Sequence, residues 1–567
     1  MIFLVENKLQ LETLQKKEFK KSDTFVAFTP DVHVYLEKKG YKTISSSNFF
    51  NSNNHFEVSK YSHDFCEIIC KFEDENNFFK TQSSSITFKF YLKLYLSHII
   101  MLITIYTKIK EKYPNEEMKY IELEQNKINF SHQPTLNDND SFYESIIEGK
   151  VNSYSSSSQF SFLNPLIKSL NLYKIKKVQE KAAILTSFQN GNMKKYLKFL
   201  KDTKGFDSLR FRAVSKNNIL EVFYSLYSIV KNIPIITVPS SVDMKYLNKV
   251  FNTLKKENNL KYKGFDLFYI LEQKIYQLMG HCIFLDNSLE TTKEYLDIFN
   301  NARILSISSL GFSSILAEAS ASTNINSTLI SHGSHIVHDD LSGIEHYYLS
   351  LGQINSPCFK DTVVQSPYAY DFIKDKEKNI YKSKPIMWGN SFENNIEIEE
   401  NTDNQFVILQ ASTPKSLIRP IIFETPFEYI NNIIQIAKAI EDMKNIKYIV
   451  RFRPIDNISL ETITYMLRKY KNIEIASDKT FQYYINKADV FISYSSTTIE
   501  EAMLENKNVI LYGNDGIYEH IQDENKSIHF AKNIQDLKNI ITLLNEKKDI
   551  NEKKHKTYKD LDMYFIS

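Results

Sequence analysis

The last third of the chain alternates short apolar runs with amphipathic segments, and this alternation limits the fold more than any other feature. The apolar runs predict six strands, at Phe406–Gln410, Lys447–Phe452, Ile473–Ala476, Val490–Ser493, Val509–Tyr512 and Ile528–Phe530. Helical patterns lie between them, near 427–444, 459–470, 480–487, 498–505 and 533–546. Strands and helices that alternate at this spacing predict an α/β fold, with a parallel sheet covered by helices on both faces.

The junction that follows the strand Val490–Ser493 is rich in hydroxyl groups. Four consecutive residues open the next helix: Ser495, Ser496, Thr497 and Thr498. Thr497 with Glu500, or Thr498 with Glu501, has the spacing of a capping box. A helix N-terminus at the carboxyl end of a parallel strand also suits a phosphate group, to which these hydroxyls could donate. Ordinary capping is the alternative for this segment alone, but the next strand, at 507–513 after a single short helix, favours a ligand site.

The stretch 488–513, ADVFISYSSTTIEEAMLENKNVILYG, resembles the donor half of glycosyltransferases with the GT-B fold. The resemblance is to the CDP-glycerol glycerophosphotransferases and to capsule or lipopolysaccharide transferases that use CMP-activated sugars. In that group a strand ending in Asp-Tyr-Ser-Ser precedes a helix, and Ser493 stands here in the place of the Asp. The resemblance covers about the last 240 residues and extends only loosely over the first 300.

The resemblance implies two Rossmann-like domains with a cleft between them and a helical insertion in the first domain. Residues 1–388 would form the acceptor domain, with the mostly helical insertion at about 57–300, and the polar, acidic stretch 389–404 would be the linker. Residues 405–567 would form the nucleotide-donor domain, whose last helix, at about 555–567, would cross back onto the first. In the first domain we expect strands at Ile2–Val5, Thr24–Phe28, Lys42–Ile44, Ile235–Val238, Cys282–Leu285, Arg303–Ser306 and Ser327–Ser331. The polar stretch 131–159 favours a mobile loop.

Charge and cysteine content exclude several classes of protein. Lys and Arg number 70 against 68 Asp and Glu, so nothing singles out nucleic acid as the partner. The four cysteines are too few and too scattered for a disulfide framework. Cys66 and Cys70 lie one helical turn apart, but no nearby pair completes a zinc site. We therefore expect free thiols in a reducing cytosol.

The N-terminus reads as a first strand, and no signal peptide is visible. The most apolar stretch, Leu94 to Tyr106, is too short to span a membrane, which favours a buried helix. These features predict a soluble, cytoplasmic protein whose contact with the inner face of the cytoplasmic membrane is at most peripheral.

A histidine-rich segment follows the predicted strand Ser327–Ser331. His332 precedes a glycine, which lets the backbone turn sharply and a ligand approach closely, and His335, His338, Asp339 and Asp340 come soon after. In the resembled enzymes the His of such a pair is proposed as the general base, and imidazole is suited to deprotonate an acceptor hydroxyl near neutral pH. Asp339 and Asp340 are the carboxylate alternatives for that role. A metal site and an ordinary polar loop remain the competing interpretations.

Basic and hydroxyl side chains follow two other strands of the donor domain. Ser412, Thr413 and Lys415 come after its first strand, where this fold usually meets donor phosphates or the acceptor; a surface turn is the alternative. Arg453 stands where the resembled enzymes have a His before Pro, and Arg451 lies two residues earlier. An arginine fork can bind phosphate bidentately, so phosphate recognition survives the change, whereas a role that needs a titrating imidazole does not. A pair of surface arginines is the alternative.

The resemblance implies an inverting, metal-independent glycosyltransferase that builds a bacterial surface polysaccharide such as capsule or O-antigen. The donor would be a cytidine nucleotide, such as a CMP-linked Kdo or nonulosonic acid, and the acceptor a glycan or lipid-linked glycan. Glu500 or Glu501 would bind the nucleotide ribose. We expect no cofactor and no metal, because helix dipoles and basic side chains can stabilise the leaving phosphate, and Asp138-Asn139-Asp140 lies in the polar loop rather than after a strand.

Three other functions stay open from the sequence. One is a CDP-glycerol-type polyol-phosphate transferase. Another is an isomerase similar to the UDP-N-acetylglucosamine 2-epimerases. Those enzymes have a Gly-rich turn before the helix glutamates, whereas Ser495–Thr498 contains no glycine. The third is a non-catalytic module of a capsule-assembly complex.

Overall fold

The structure is a computed structural model of the full chain. It describes residues 1–14, 19–20, 22–121, 130–131, 142–148, 164–178, 181–186, 191–215, 227, 235–257, 260–331, 342–354, 356–363, 405–412, 414, 423–455, 457–521 and 527–546. Three parallel sheets organise these residues, and we call them the first, middle and C-terminal sheets. The α/β class and the plan of two Rossmann-like domains are confirmed, and a further four-stranded sheet precedes them.

The C-terminal sheet follows the predicted alternation. Its strands are β13 (Phe406–Ala411), β14 (Ile446–Arg451), β15 (Ile473–Ala476), β16 (Val490–Ser493), β17 (Asn508–Tyr512) and β18 (Ile528–Ala531). Its helices are α13 (Pro426–Ala439), α14 (Leu460–Leu467), α15 (Phe481–Lys487), α16 (Thr498–Leu504) and α17 (Ile534–Glu546). The strand order β15-β14-β13-β16-β17-β18 is the doubly wound order of dinucleotide-binding domains.

Burial on both faces explains why these strands appear as apolar runs. Along β13, Phe406 and Ile408 pack with α13, α14 and α17, while Val407 and Leu409 pack with α15 and α16 on the other face. Parallel strands covered on both sides lack a polar face and therefore show no alternation of polar residues.

The middle sheet repeats the same topology. Its strands are β5 (Ala182–Leu185), β6 (Asp207–Ser215), β7 (Ile235–Ser240), β10 (Ala302–Ser306), β11 (Asn326–Ile330) and β12 (Asp361–Val363). They lie in the order β12-β11-β10-β5-β6-β7, all parallel. The helices that accompany it are α6 (Asn164–Val178), α7 (Gly191–Lys204), α10 (Leu289–Leu296), α11 (Phe312–Ser320) and α12 (Ser342–Gln353). The helical prediction for 57–300 is therefore wrong for β5 and β6, whereas β7 was predicted as the strand Ile235–Val238.

The first sheet contains the three N-terminal strands that the sequence predicts. Its strands are β1 (Ile2–Val5), β2 (Thr24–Ala27), β3 (Lys42–Ser45) and β4 (Met118–Tyr120), in the order β3-β2-β1-β4. The short helices α1 (Lys8–Leu14) and α2 (Pro30–Lys38) follow β1 and β2, and α5 (Tyr143–Glu148) lies later in the chain. The N-terminal strands thus pair with one another and not with the strands of 302–330.

Long helices form the largest apolar core, on one side of the first sheet. They are α3 (Ser52–Asn76), α4 (Gln82–Lys112), α8 (Met244–Glu257) and α9 (Leu267–Asp286), which a short hairpin of β8 (Lys261–Tyr262) and β9 (Phe265–Asp266) precedes. Within the described residues α4 is long and apolar enough to cross a membrane, but 83% of its most apolar window is buried inside the protein. The predicted buried helix at 94–106 is confirmed.

One predicted strand is wrong. Cys282–Leu285 forms the last turn of α9 rather than a strand. The whole last turn of this helix is buried, so its sequence lacks the polar positions that mark a surface helix. Cys66, Cys70, Cys282 and Cys358 are buried free thiols, as predicted.

Candidate functional site

The strand order of the C-terminal sheet reverses between β13 and β16. Ligands of doubly wound sheets bind outside the carboxyl ends of the strands at such a switch point. Arg451 pairs in register with Ala411 at the end of β13, and Gln410 pairs with Ile492 one residue before the end of β16. Ser412 and the hydroxyl-rich run of 495–498 therefore lie at the strand ends around this crevice, together with Arg451.

The hydroxyl-rich run is held by tertiary contacts and not by a capping box. Thr497 is the N-cap residue of α16 and makes no side-chain cap bond. The Thr498 hydroxyl lies 2.7 Å from the Ala411 carbonyl oxygen, to which it can donate, and 2.8 Å from the Ser496 hydroxyl. Both predicted capping boxes are wrong, because Thr498 ties the helix start to the neighbouring strand β13. Ser496 and Thr497 are half-buried at this edge of the sheet.

Ser495 is buried and contacts the loop after β17. Its hydroxyl oxygen lies 3.3 Å from Nδ1 of His520, and the Tyr518 hydroxyl lies 3.2 Å from the same nitrogen. His520 is only 3% exposed. The role of His520 was missed from the sequence, because a single histidine in a loop 25 residues away carries no local signal. Ser493, which stands in the place of the Asp of the resembled enzymes, is fully buried as well.

Arg451 is the half-buried cation of this edge, whereas Arg453 is exposed. The Nε group of Arg451 donates to the Lys479 carbonyl oxygen at 3.4 Å. Burial lowers the pKa of Arg451, and the nearby carboxylate of Glu501 opposes that effect. Burial raises the pKa of Glu501 to about 7, although the charge of Arg451 acts in the opposite direction. Of the two predicted arginines, Arg451 therefore lies at the end of a central strand and Arg453 lies beyond it.

A polar network behind the crevice fixes the loops around it. The Asn514 amide N–H donates to Asn432 Oδ1 at 3.1 Å, and Asn432 Nδ2 donates to Glu424 at 3.2 Å. Gly513, before Asn514, has a φ of +155°, and a β-carbon there would lie 2.6 Å from the Tyr494 ring. The Tyr494 hydroxyl in turn donates to the Phe423 carbonyl oxygen at 3.2 Å. The close approach at Gly513 therefore requires a residue without a side chain.

Helix α3 contacts the C-terminal domain beside this crevice. His55 of α3 is buried, and its Nε2 lies 3.0 Å from both carboxylate oxygens of Glu428 in the first turn of α13. Phe56 packs against Phe423 with ring centroids 5.1 Å apart. Burial by itself would raise the pKa of Glu428, but the charge of His55 and its hydrogen bond outweigh burial and lower it.

A second contact joins α2 to α14. The amide N–H and the hydroxyl of Ser459, the N-cap of α14, both donate to Asp31 Oδ1, at 2.9 and 3.0 Å. The Lys38 ammonium lies 2.6 Å from the carboxylate of Glu461. Since Asp31 follows β2, the carboxyl edge of the first sheet faces the loop after β14.

The loop after β10, at the corresponding edge of the middle sheet, is bonded to helices α4 and α12. Gly311, between β10 and α11, donates its N–H to the Thr87 hydroxyl of α4 at 2.9 Å. Ser309 donates its N–H to the Gly352 carbonyl oxygen at 3.1 Å. The switch point of the C-terminal sheet is therefore the better candidate for a nucleotide.

Several predicted site residues lie outside the described residues. They are His332, Asp339 and Asp340 of the histidine-rich segment, and Thr413 and Lys415 after β13. The linker 389–404, the last helix at 555–567 and residues 132–141 and 149–159 of the polar stretch lie outside them too. Residues 143–148 of that stretch form α5, with Tyr143 buried, so the loop prediction is wrong there. Glu500 lies in the first turn of α16 and is buried. Among the residues that the structure does describe, no group of three or more His, Cys, Asp or Glu side chains could hold a metal ion.

No protein-family model matches the sequence, and none of the curated proteins matches it. Among solved structures, a UDP-GlcNAc 2-epimerase from Neisseria meningitidis bound to UDP-GlcNAc is similar at 10% identity with a TM-score of 0.35, over 66% of this chain and 95% of that chain. The UDP-GlcNAc 2-epimerase of Methanocaldococcus jannaschii is similar at 12% identity with a TM-score of 0.35, over 67% of this chain and 95% of that chain. A mutant of S. aureus TarM in complex with fondaparinux, α-GlcNAc-glycerol and UDP is similar at 14% identity with a TM-score of 0.33, over 65% of this chain and 93% of that chain. These matches assign no activity to this chain, and the strand orders given above carry its fold.

Proposed function

We propose that this protein is a GT-B-type glycosyltransferase of bacterial surface polysaccharide assembly, which transfers a sugar from a cytidine nucleotide to a glycan acceptor. The observation that carries the proposal is the switch-point crevice of the C-terminal sheet, where Arg451 at the end of β14 and the hydroxyls of 495–498 after β16 lie on either side of the end of β13. A CMP-linked keto-sugar acid is the proposed donor, and a CDP-linked polyol is the alternative within the same class. The proposed location is the cytoplasm.

In this proposal Arg451 neutralises the charge that develops on the leaving phosphate, with Arg453 in support from the exposed side. Charge-assisted hydrogen bonds from a guanidinium are the strong ones, and a half-buried arginine loses less of this attraction to solvent. Ser496 and Thr497 would donate hydroxyl protons to the same phosphate. Glu500 would hold the ribose hydroxyls. The reaction then proceeds without a metal ion, because fixed donors stabilise the leaving group.

The base that activates the acceptor is assigned to His332, with Asp339, Asp340 and Glu6 as carboxylate alternatives. Glu6 is buried at the end of β1, where one of its carboxylate oxygens accepts the Phe142 N–H at 3.4 Å. Turnover of the His332→Ala and His332→Gln enzymes, beside alanine variants of the three acids, separates these residues. Loss of activity only in a carboxylate variant would move the base to that residue, and normal rates in both histidine variants would remove His332 from the chemistry.

The nucleotide assignment is tested by a thermal-shift screen with CMP, CDP, UMP, UDP and GDP. A ligand that binds the folded state raises its stability, by about 2.7 kcal/mol at a hundredfold excess over the dissociation constant. We expect the cytidine nucleotides to give the largest shift, and Arg451→Ala to lose about 1.5–3 kcal/mol of binding free energy. Arg453→Ala should lose binding as well, and Arg468→Ala, an exposed arginine at the end of α14, is the matched control. Equal shifts in all four proteins would refute the site.

A second candidate, a nucleotide-sugar epimerase, is favoured by one observation. Glu501 lies beside Arg451 at the same edge with a pKa of about 7, so its carboxyl group could both take up and release a proton near neutral pH. An epimerase would convert a nucleotide-sugar without any acceptor. Incubation with UDP-GlcNAc alone, followed by NMR of the sugar ring, distinguishes the two: conversion at C2 that Glu501→Gln abolishes would replace the transferase proposal.

A further inference from the structure

The charge of the chain is unevenly distributed. Lys and Arg outnumber Asp and Glu by 12 to 3 between residues 164 and 212, although the whole chain has 70 against 68. The remaining residues are therefore net acidic. A local excess of this size in a nearly neutral chain produces a field at one surface rather than around the whole molecule.

Helix α7 concentrates this charge on its solvent side. Its apolar side, with Met193 and Leu200 buried and Leu197 partly buried, packs against the middle sheet. Four lysines of the helix are exposed, and we call them the α7 lysine face: Lys194, Lys198, Lys201 and Lys204. The spacing of four and then three residues places Lys194, Lys198 and Lys201 along one stripe beside the apolar side. Lys204 adds its charge at the C-terminal end of the helix, about 15 Å from Lys194 along the axis, since a helix rises about 1.5 Å per residue.

Neighbouring residues extend this face and neutralise little of it. The Lys181 ammonium donates to the Lys204 carbonyl oxygen at 3.2 Å, beside the C-terminus of the helix. The Lys201 ammonium lies 4.0 Å from Asp207, and Asp202 is exposed on the same helix. Within the part of the chain that the structure describes, Lys194 and Lys198 form no ion pair with a carboxylate.

We propose that the α7 lysine face docks the protein onto a surface of anionic phospholipids. Because the apolar side of α7 is already used against the sheet, the helix attracts such a surface through charge and does not insert into it. Lysine side chains are mobile point charges that suit the dispersed negative charge of lipid headgroups, whereas bidentate recognition of single phosphates favours arginine. A cluster of four or more basic residues along a helix and at its end is the pattern of such electrostatic docking. The docking does not depend on which nucleotide the C-terminal sheet binds.

Sedimentation of the full-length protein with lipid vesicles tests the proposal. Vesicles of phosphatidylcholine with about one-third phosphatidylglycerol should bind the protein, and pure phosphatidylcholine should not. Each lysine near an anionic bilayer contributes about fivefold in binding, so the triple variant Lys194→Glu, Lys198→Glu and Lys201→Glu should bind at least about a hundredfold more weakly. Raising the salt to about 0.5 M should release the wild-type protein.

The matched control changes the same charge elsewhere. Lys444, Lys469 and Lys471 are exposed in the C-terminal domain, and their triple Glu variant should bind vesicles as the wild type does. A variant with Gln in place of Lys194, Lys198 and Lys201 guards against misfolding, and the melting temperature of each protein is measured alongside. The proposal would be overturned if the α7 variants bound vesicles as tightly as the wild type, or if the control variant lost as much binding as the α7 variants. Binding of the wild type to uncharged vesicles would overturn it as well. So would a wild-type protein that ignores vesicles and binds an anionic polysaccharide or oligonucleotide through these lysines.

Discussion

Replacing Glu501 by Gln should stabilise the protein at alkaline pH. In the folded chain, burial raises the pKa of this carboxyl from an ordinary value of 4.5 to about 7, while Arg451 partly opposes the change. Between those two values the folded chain binds the proton more tightly than the unfolded chain. The stabilisation is therefore complete below pH 4.5 and is lost as the pH rises through 7.

The size of the effect follows from the same values. The gap between 4.5 and about 7 corresponds to about 3 kcal/mol, at about 1.4 kcal/mol per pH unit. Glu501 keeps some contact with solvent, which reduces the gain. We therefore expect the free energy of unfolding of Glu501→Gln, relative to wild type, to be about 2 kcal/mol higher at pH 8 than at pH 5.

Urea unfolding at pH 5 and pH 8, monitored by circular dichroism, measures this difference in the free energy of unfolding. The relevant transition is the one that includes the C-terminal sheet. The comparison of wild type and variant cancels the other titrating groups, which are common to both proteins. Glu546→Gln, at an exposed position at the end of α17, is the control and should leave the pH dependence unchanged. The reasoning is refuted if Glu501→Gln and wild type lose the same free energy of unfolding between the two pH values.

Three further outcomes are expected from the packing. Gly513→Ala should cost about 2 kcal/mol or more of unfolding free energy, because its β-carbon would lie 2.6 Å from the Tyr494 ring; an unchanged urea midpoint would contradict this. Glu73→Gln should gain about 4 kcal/mol at pH 9 and little at pH 5, because burial raises the pKa of Glu73 to about 8, and a flat profile in urea titrations would count against it. His520→Ala should cost about 1–2 kcal/mol in unfolding and weaken nucleotide binding, while His520→Asn, which keeps a polar partner for Ser495, should recover part of both; identical behaviour of the two variants would leave the contact without a role.

The C-terminal sheet could be predicted from the sequence because its strands are buried on both faces. All six predicted strands appear, with ends that differ by at most a residue or two. Ser412 and Arg451 could be placed at strand ends for the same reason. Each position follows from the end of an apolar run, which is local information.

The remaining features depend on contacts between distant parts of the chain. Cys282–Leu285 is apolar enough for a strand, but it continues a helix of 20 residues that packs in the core. Thr498 has the spacing of a capping residue, yet its hydroxyl reaches the Ala411 carbonyl oxygen of a neighbouring strand. The separation of the N-terminal strands into a sheet of their own follows from long helices that cover one side of it, which no strand pattern reveals.

The two buried histidines near the crevice that sequence reasoning missed share this property. His520 lies near Ser495 only because the loop after β17 folds back over the start of α16. His55 reaches Glu428 across a separation of 373 residues. Neither residue belongs to a spaced motif, so only the tertiary structure brings them to the crevice.

A structure of the protein with bound CMP tests the central claim most directly. The account predicts the phosphate at the switch point between β13 and β16, within about 3 Å of the Arg451 guanidinium or of a hydroxyl of Ser495, Ser496 or Thr497. A phosphate more than about 6 Å from all of these groups, beyond water-mediated reach, or one bound at the carboxyl edge of the first or middle sheet, would contradict it.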